Sequence, residues 1–325
     1  MEYEKMEKVA IVKGNAYDAT IKSLKLLDFG QILKGKQRVI IKPNLVVPIH
    51  SSQGITTDVN VVRAILDSLP NPKKAIIADG SSRVNETFKL NGYDRLADEY
   101  NIPLIDLNED EMIEVKVDNP LVFKKIEIAR TVLDSDFLIS VAKLKIHSLT
   151  GITGSLKNMM GVCPKNQKLK LHAFLPNSLL DLFSVVFPDF GIIDGIVANE
   201  VDENVPHPVK MDIVLASKDC VALDAVASKI MGMNPKEVSH IWKSYKRGLG
   251  IAELEQIEII GENLNNIKRI FKRSGFNPRS YSQKIVVSFL IKLKLFDLFY
   301  PYIEKILSKK LLLRIIKPLF SKEHL

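Results

Sequence analysis

The chain has 325 residues, 46% hydrophobic and 26% charged, with 46 Lys and Arg against 38 Asp and Glu for a formal net charge of +8. That apolar share excludes disorder or a fibrous repeat as a description of the whole, and the length suffices to bury a full core. Two cysteines, Cys163 and Cys220, exclude a disulfide scaffold, a four-thiolate zinc site and an iron–sulfur cluster. From the N-terminus, Met1 to Ala10 carries five charged residues and no apolar h-region, which predicts no secretory signal. No run reaches about 18 uncharged apolar residues, so a simple membrane span is not expected and a cytoplasmic location fits best.

The body alternates strand-like and helix-like segments. Val39 to Leu45 is a β-branched apolar run ending at Pro43-Asn44, a buried strand entering a loop. Thr57-Asp58 then caps a helix with apolar residues at Val59, Val62, Ile65, Leu66 and Leu69, which Pro70-Asn71-Pro72 ends. Ala75 to Ala78 is a strand, Glu86 to Tyr100 a helix, and Ile102 to Leu107 another strand. Phe137 to Ala142 is a strand running into Lys143-Leu144-Lys145-Ile146-His147, and Gly151 to Gly161 a loop feeding a helix. Gly191 to Val197 and Met211 to Ala216 are further strands, and Cys220 to Met231 is an Ala-rich helix. This order predicts an α/β fold, a mostly parallel sheet with helices on both faces, plus a C-terminal basic helical extension.

In open α/β sheets ligands bind beyond the carboxyl ends of the strands. Five polar clusters fall there: Lys42 with Asn44; Asp79 with Gly80 and Ser81; Lys143 with Lys145 and His147; Asp194 with Glu200; and Asp219. An Asp at such a position equally well caps a helix or closes a turn, so the coincidence of clusters carries the signal. Within Lys143 to Gly161, residues 143, 145 and 147 alternate in the strand period and so share a face. A Ser/Thr/Gly loop follows, then a helix start with Lys157 and Asn158. Helix-terminal amides, hydroxyls and lysines together form an anion cradle for a phosphate or carboxylate. The segment has neither the Walker nor the Rossmann glycine spacing. His147, His172 and His207 have no metal-ligand spacing, so a metal is the minority reading. Lys145 serves as a base or imine former if desolvated, or as an electrostatic anchor. Asp219 is read as an N-cap, and Asp224 either faces a cleft or pairs with a lysine.

These pieces together resemble the domain-of-unknown-function family numbered 362. The matching stretches are Lys42 to Asn44, Thr57, the IADGSS around Asp79, the IIDGIVANE with Asp194 and Glu200, and SKDCVALDAVASKIMGM with Asp219, Ala222 and Asp224. The most specific is AKLKIHSLTGITGSLKNMMGV, Ala142 to Val162. The resemblance spans roughly residues 8 to 262. Two departures stand out. Where family members tend to have a Gly-rich stretch after the position of Glu200, this chain has Val201-Asp202-Glu203-Asn204-Val205-Pro206. The ferredoxin-like cluster domain of many relatives is excluded by the cysteine count. The resemblance implies a site and supplies no reaction.

Residues 1–265 hold 32 basic and 35 acidic groups, whereas 266–325 hold 14 Lys and Arg against 3 Asp and Glu. The two parts are therefore read as an α/β ligand-binding core and a basic amphipathic helical tail. In the tail, apolar residues recur from Ile285 to Leu311 at helical spacing among lysines, with Pro301 expected to divide two helices. Such helices lie on an anionic membrane surface, or pack on the body or on a second subunit; nucleic acid is the disfavoured partner. The expectation is a protein, leaning to an enzyme of undetermined reaction, that binds an anionic small molecule. Lys145, His147 and Asp224 are the candidate catalytic residues. Lys42, Asn44, Thr57, Asp79, Gly80, Lys143, Lys157, Asn158 and Asp194 are the candidate binding residues. The alternative is a non-catalytic adaptor recruited by its tail to a partner or to the inner face of a membrane.

Overall fold

The computed structural model describes residues 6–273 and 278–308, with side chains undescribed at 278–283 and 304–308. Its main sheet is built from β1 (Glu7–Lys13), β2 (Val39–Pro43), β3 (Ala75–Asp79), β4 (Leu104–Asp106), β7 (Phe137–His147), β9 (Phe190–Asn199), β10 (Pro208–Ser217) and β11 (Ile257–Gly261). The order across it is β11-β1-β10-β9-β7-β2-β3-β4, and the short β8 (Gly151–Ile152) folds back on β7. The central run from β9 through β7, β2 and β3 to β4 is parallel, as is β1 on β11; β10 pairs antiparallel with both its neighbours. A separate hairpin joins β5 (Met112–Lys116) to β6 (Lys125–Ala129).

The period of two along each strand sends successive residues to opposite faces. Ile40 and Leu138 join one apolar cluster, while Val39, Ile41, Phe137 and Ile139 join the other. The second face is covered by Ala16–Leu26, Val59–Ser68, Val84–Asn91 and Tyr93–Tyr100. The first is covered by Gly154–Asn158, Asn177–Phe183 and Cys220–Ile230. A strand buried on both faces has no polar alternation, which is why β2 and β7 read as continuous apolar runs.

Two sequence expectations need correction. The helix expected over Glu86 to Tyr100 is two helices, because Gly92 sits at φ +77° and ends the first with a left-handed turn. In the tail, Pro301 lies inside the helix Phe296–Ser308, and the break from Pro278–Lys292 falls at Leu293 to Leu295, where Lys294 is left-handed at φ +59°. The chain past residue 265 also stays tied to the core at first. The amides of Arg269 and Phe271 donate to the Ile230 and Met231 carbonyls, and Phe271 is buried.

Candidate functional site

A cavity of about 480 Å³ opens at the carboxyl ends of β2, β3 and β7, the place where a parallel sheet leaves a crevice. Lys42, Asn44, Asp79, Gly80, Lys145, His147, Lys157 and Asn158 all line it. Lys42 extends from β2 to Asp79 at the end of β3, Nζ to Oδ1 2.6 Å, and donates also to Asn158 Oδ1 at 3.1 Å. Asn158 ties the strands together, its Nδ2 donating to the Lys42 carbonyl and to Ser140 Oγ, while its Oδ1 accepts from Asn44 Nδ2. Gly161 is needed beside this pair, since a Cβ there would fall 2.5 Å from Lys42 Nζ.

Two lysines have no carboxylate in contact among the described residues, and Glu203 is a nearby attracting charge on both. Lys145 is buried and, among the described residues, donates to two carbonyl oxygens, of Ile55 at 3.0 Å and Glu203 at 3.3 Å. Burial, with Lys157 nearby, pushes its ammonium down to about 7. Lys157 makes no hydrogen bond or ion pair to any described residue, and burial lowers it to about 8. His147 is held neutral, its pKa pushed well below the usual imidazole value by burial and then by Lys157. Its Nδ1 accepts from the Leu149 amide at 3.1 Å, which leaves the proton on Nε2, 4.0 Å from Glu203 Oε1. Asn44 Oδ1 and Thr153 Oγ1 are buried at the cavity wall with no partner among the described residues.

Four of the candidate catalytic and binding residues, Lys143, Asp194, Thr57 and Asp224, stand outside the cavity, as do Asp219 and Glu200. Lys143 is held by Asp194 (2.8 Å), its neighbour across the ladder, where the β7–β9 register breaks before Lys145. The other Asp194 bonds come from the Asp58 and Ile196 amides, so this carboxylate is a structural clamp. Thr57 bridges the Asn44 amide and the Val141 carbonyl, pinning the exits of β2 and β7. Asp224 accepts the Ser155 amide at 2.6 Å and the Leu156 amide at 3.0 Å. The helix start expected to cradle a ligand is therefore filled by the protein's own carboxylate, which burial pushes up to about 7. Asp219 is the N-cap expected, accepting from Val221 and Ala222. Glu200 holds the Lys272 amide.

The structure adds residues that the sequence reading passed over. Lys168 reaches the Gly80 carbonyl and Asn108, and burial lowers it to about 8. His172 donates from Nδ1 to the Lys168 carbonyl and stacks on His147 with ring centres 6.3 Å apart. Lys168 and His172 lie four apart on the helix Lys165–Ala173, a spacing that puts both on one face and was a readable signal. Glu203 binds the Ser148 amide and hydroxyl and closes one rim. Lys284, Val287 and Tyr300, from the tail helices, form another wall. Among the described residues no group of three or more His, Cys, Asp or Glu converges to hold a metal ion.

Comparison with known proteins places this arrangement. The family model described as "Domain of unknown function (DUF362)" matches residues 39–229. The chain belongs to that family. The DUF362 match covers Lys42 to Asn204 of the cavity and leaves out the tail wall. A curated relative, the thylakoid-associated protein sll1697 of Synechocystis sp., is 25% identical over 264 residues, covering 75% of this chain and 80% of that one. A solved structure, the lactate racemase apoprotein of Thermoanaerobacterium thermosaccharolyticum, aligns with a TM-score of 0.46 at 15% identity, over 72% of this chain and 59% of that one. No described helix is long and apolar enough to cross a membrane.

Proposed function

We propose that this DUF362 protein binds a phosphate- or carboxylate-bearing small molecule in the cavity and acts on it as an enzyme. The observation that carries the reading is the pair Lys145 and Lys157, which face the cavity with no carboxylate paired to them among the described residues. A partly desolvated ammonium is costly unless something compensates it, and an anion would do so while recovering the lost charge. Asn44 Oδ1 and Thr153 Oγ1 offer hydrogen bonds that the protein leaves unused. The Lys42–Asp79 pair is already neutralised and positions the floor, and His147 Nε2–H is the proton carrier best placed beside a ligand. The setting is cytoplasmic, with the tail helices available to a surface.

Native mass spectrometry of the full-length chain, joined to calorimetric titration with inorganic phosphate, tests this. A bound anion, or phosphate binding lost in Lys145→Ala, supports the reading; an empty protein that binds no phosphate or carboxylate overturns it. A second reading, a non-catalytic adaptor, is favoured by the apolar residues exposed along the tail helices and by the printed name of the relative, thylakoid-associated. Under that reading Lys145→Ala leaves surface recruitment and function intact.

A further inference from the structure

The tail helices Pro278–Lys292 and Phe296–Ser308 form a hairpin that buries Val287, Phe296 and Ile303 against Ala173 of the helix Lys165–Ala173. Its other side is not polar, as the outer face of a water-exposed helix should be. Ile285, Phe289 and Leu293, spaced i, i+4, i+8, are 51%, 60% and 50% exposed, and Leu298 and Tyr302 repeat the pattern on the second helix at 67% and 65%. Lys292 and Lys294, both exposed, accompany this face. Asp297, the one carboxylate between residues 284 and 303, is tied to Lys170 at 2.7 Å. An apolar stripe with a net positive surround is complementary to an anionic bilayer interface.

The same hairpin is also a wall of the cavity. Leu169, Ala173, Val287 and Tyr300 belong to the apolar cluster that seats it, and all four line the same cavity as Lys145 and Lys157. Lys284 adds a further cation to this wall, but its apolar part offers a small hydrated anion nothing, whereas a molecule with an anionic head and a hydrocarbon chain satisfies both kinds of surface. Building on the anion-binding reading, we propose that the ligand is a membrane amphiphile, its headgroup on the lysines and its chain along the hairpin, drawn from an anionic bilayer on which the hairpin sits.

The test uses the full-length chain in two measurements. In flotation with phosphatidylcholine vesicles, alone or with about 20 mol% phosphatidylglycerol, it should float only with the anionic ones. In calorimetry, dihexanoyl phosphatidic acid below its micelle concentration should bind about tenfold or more tightly than inorganic phosphate, because chain methylenes leave water. Phe289→Glu with Leu298→Glu, both on the exposed face, should abolish flotation and leave short-chain binding unchanged. Equal affinity for phosphate and the short-chain lipid overturns the amphiphile and leaves the anion site standing. No binding of either overturns the anion site as well. A stoichiometric dimer that fails to float assigns the exposed face to a second copy of the chain and overturns the proposal.

Discussion

Lys145 couples the cavity to pH. Its ammonium is lowered from an ordinary lysine value to about 7 by burial, so between about 7 and 10.5 the unfolded chain binds the proton that the folded chain has released. Stability contributed by this group therefore rises with pH across that window and is lowest below it, where the buried ammonium must be carried. Anion binding runs the other way, since the ligand needs the charged form. Phosphate affinity should weaken as pH rises from 7 to 9, with proton uptake on binding visible as a dependence of calorimetric enthalpy on the buffer. A flat profile would show that Lys145 does not meet the ligand. Lys145→Met should remove binding while holding or raising the melting temperature, because the replacement is apolar and of similar length. Asp224 behaves differently. Removing it in Asp224→Ala leaves two buried amides without an acceptor, and a loss of about 2–4 kcal/mol is expected in urea titration.

Glycines set how closely the elements around the cavity approach. Gly161 lies so near Lys42 that Gly161→Ala must push the ammonium from Asp79. Because this parts a buried ion pair, a lower urea midpoint should accompany phosphate binding at least several-fold weaker; an unchanged affinity would separate the Lys42–Asp79 pair from the site. Much of this neighbourhood was legible in the sequence, and for a physical reason. Parallel strands buried on both faces appear as short apolar runs, and the polar residues that follow mark the crevice. That placed Lys42, Asp79, Lys145, His147, Lys157 and Asn158 around one cavity. The alternation that grouped Lys143 with Lys145 and His147 could not show that Asp194, opposite Lys143 in the ladder, would claim it. Nor could a helix start reveal that Asp224, about 70 residues away, fills its amides. The strand Glu7–Lys13 went unread because lysines bound its apolar centre. The hairpin of β5 and β6 went unread although Met112-Ile113-Glu114-Val115-Lys116 alternates with period two.

At the scale of the molecule, the hairpin 278–308 is attached differently from everything else. The two sheet faces hold dozens of buried residues, whereas among the described residues the hairpin's apolar seat is Ala173, Val287, Phe296 and Ile303 with a few partly buried neighbours, joined by an ion pair from Lys170 to the exposed Asp297. A unit held by so small an apolar cluster should open independently of the core, because each cooperative segment unfolds at its own free energy. Phe271, in the described segment before the hairpin, packs into the main core and not into the hairpin's cluster. Hydrogen exchange of the full-length protein should then show amides of 284–303 exchanging far faster than those of β7, at a rate insensitive to the stability of the sheet. Phe296 is 2% exposed and the largest fully buried side chain in the cluster, and Lys170 lies over its ring at 5.0 Å. Phe296→Ala should speed exchange across the hairpin by an order of magnitude or more, consistent with losing a buried aromatic, while leaving β7 amides and the main melting transition in place. Because Val287 and Tyr300 wall the cavity, the same variant should weaken a chain-bearing ligand more than it weakens phosphate. Loss of protection in β7 alongside the hairpin would show instead that the tail and the sheet fold as one unit.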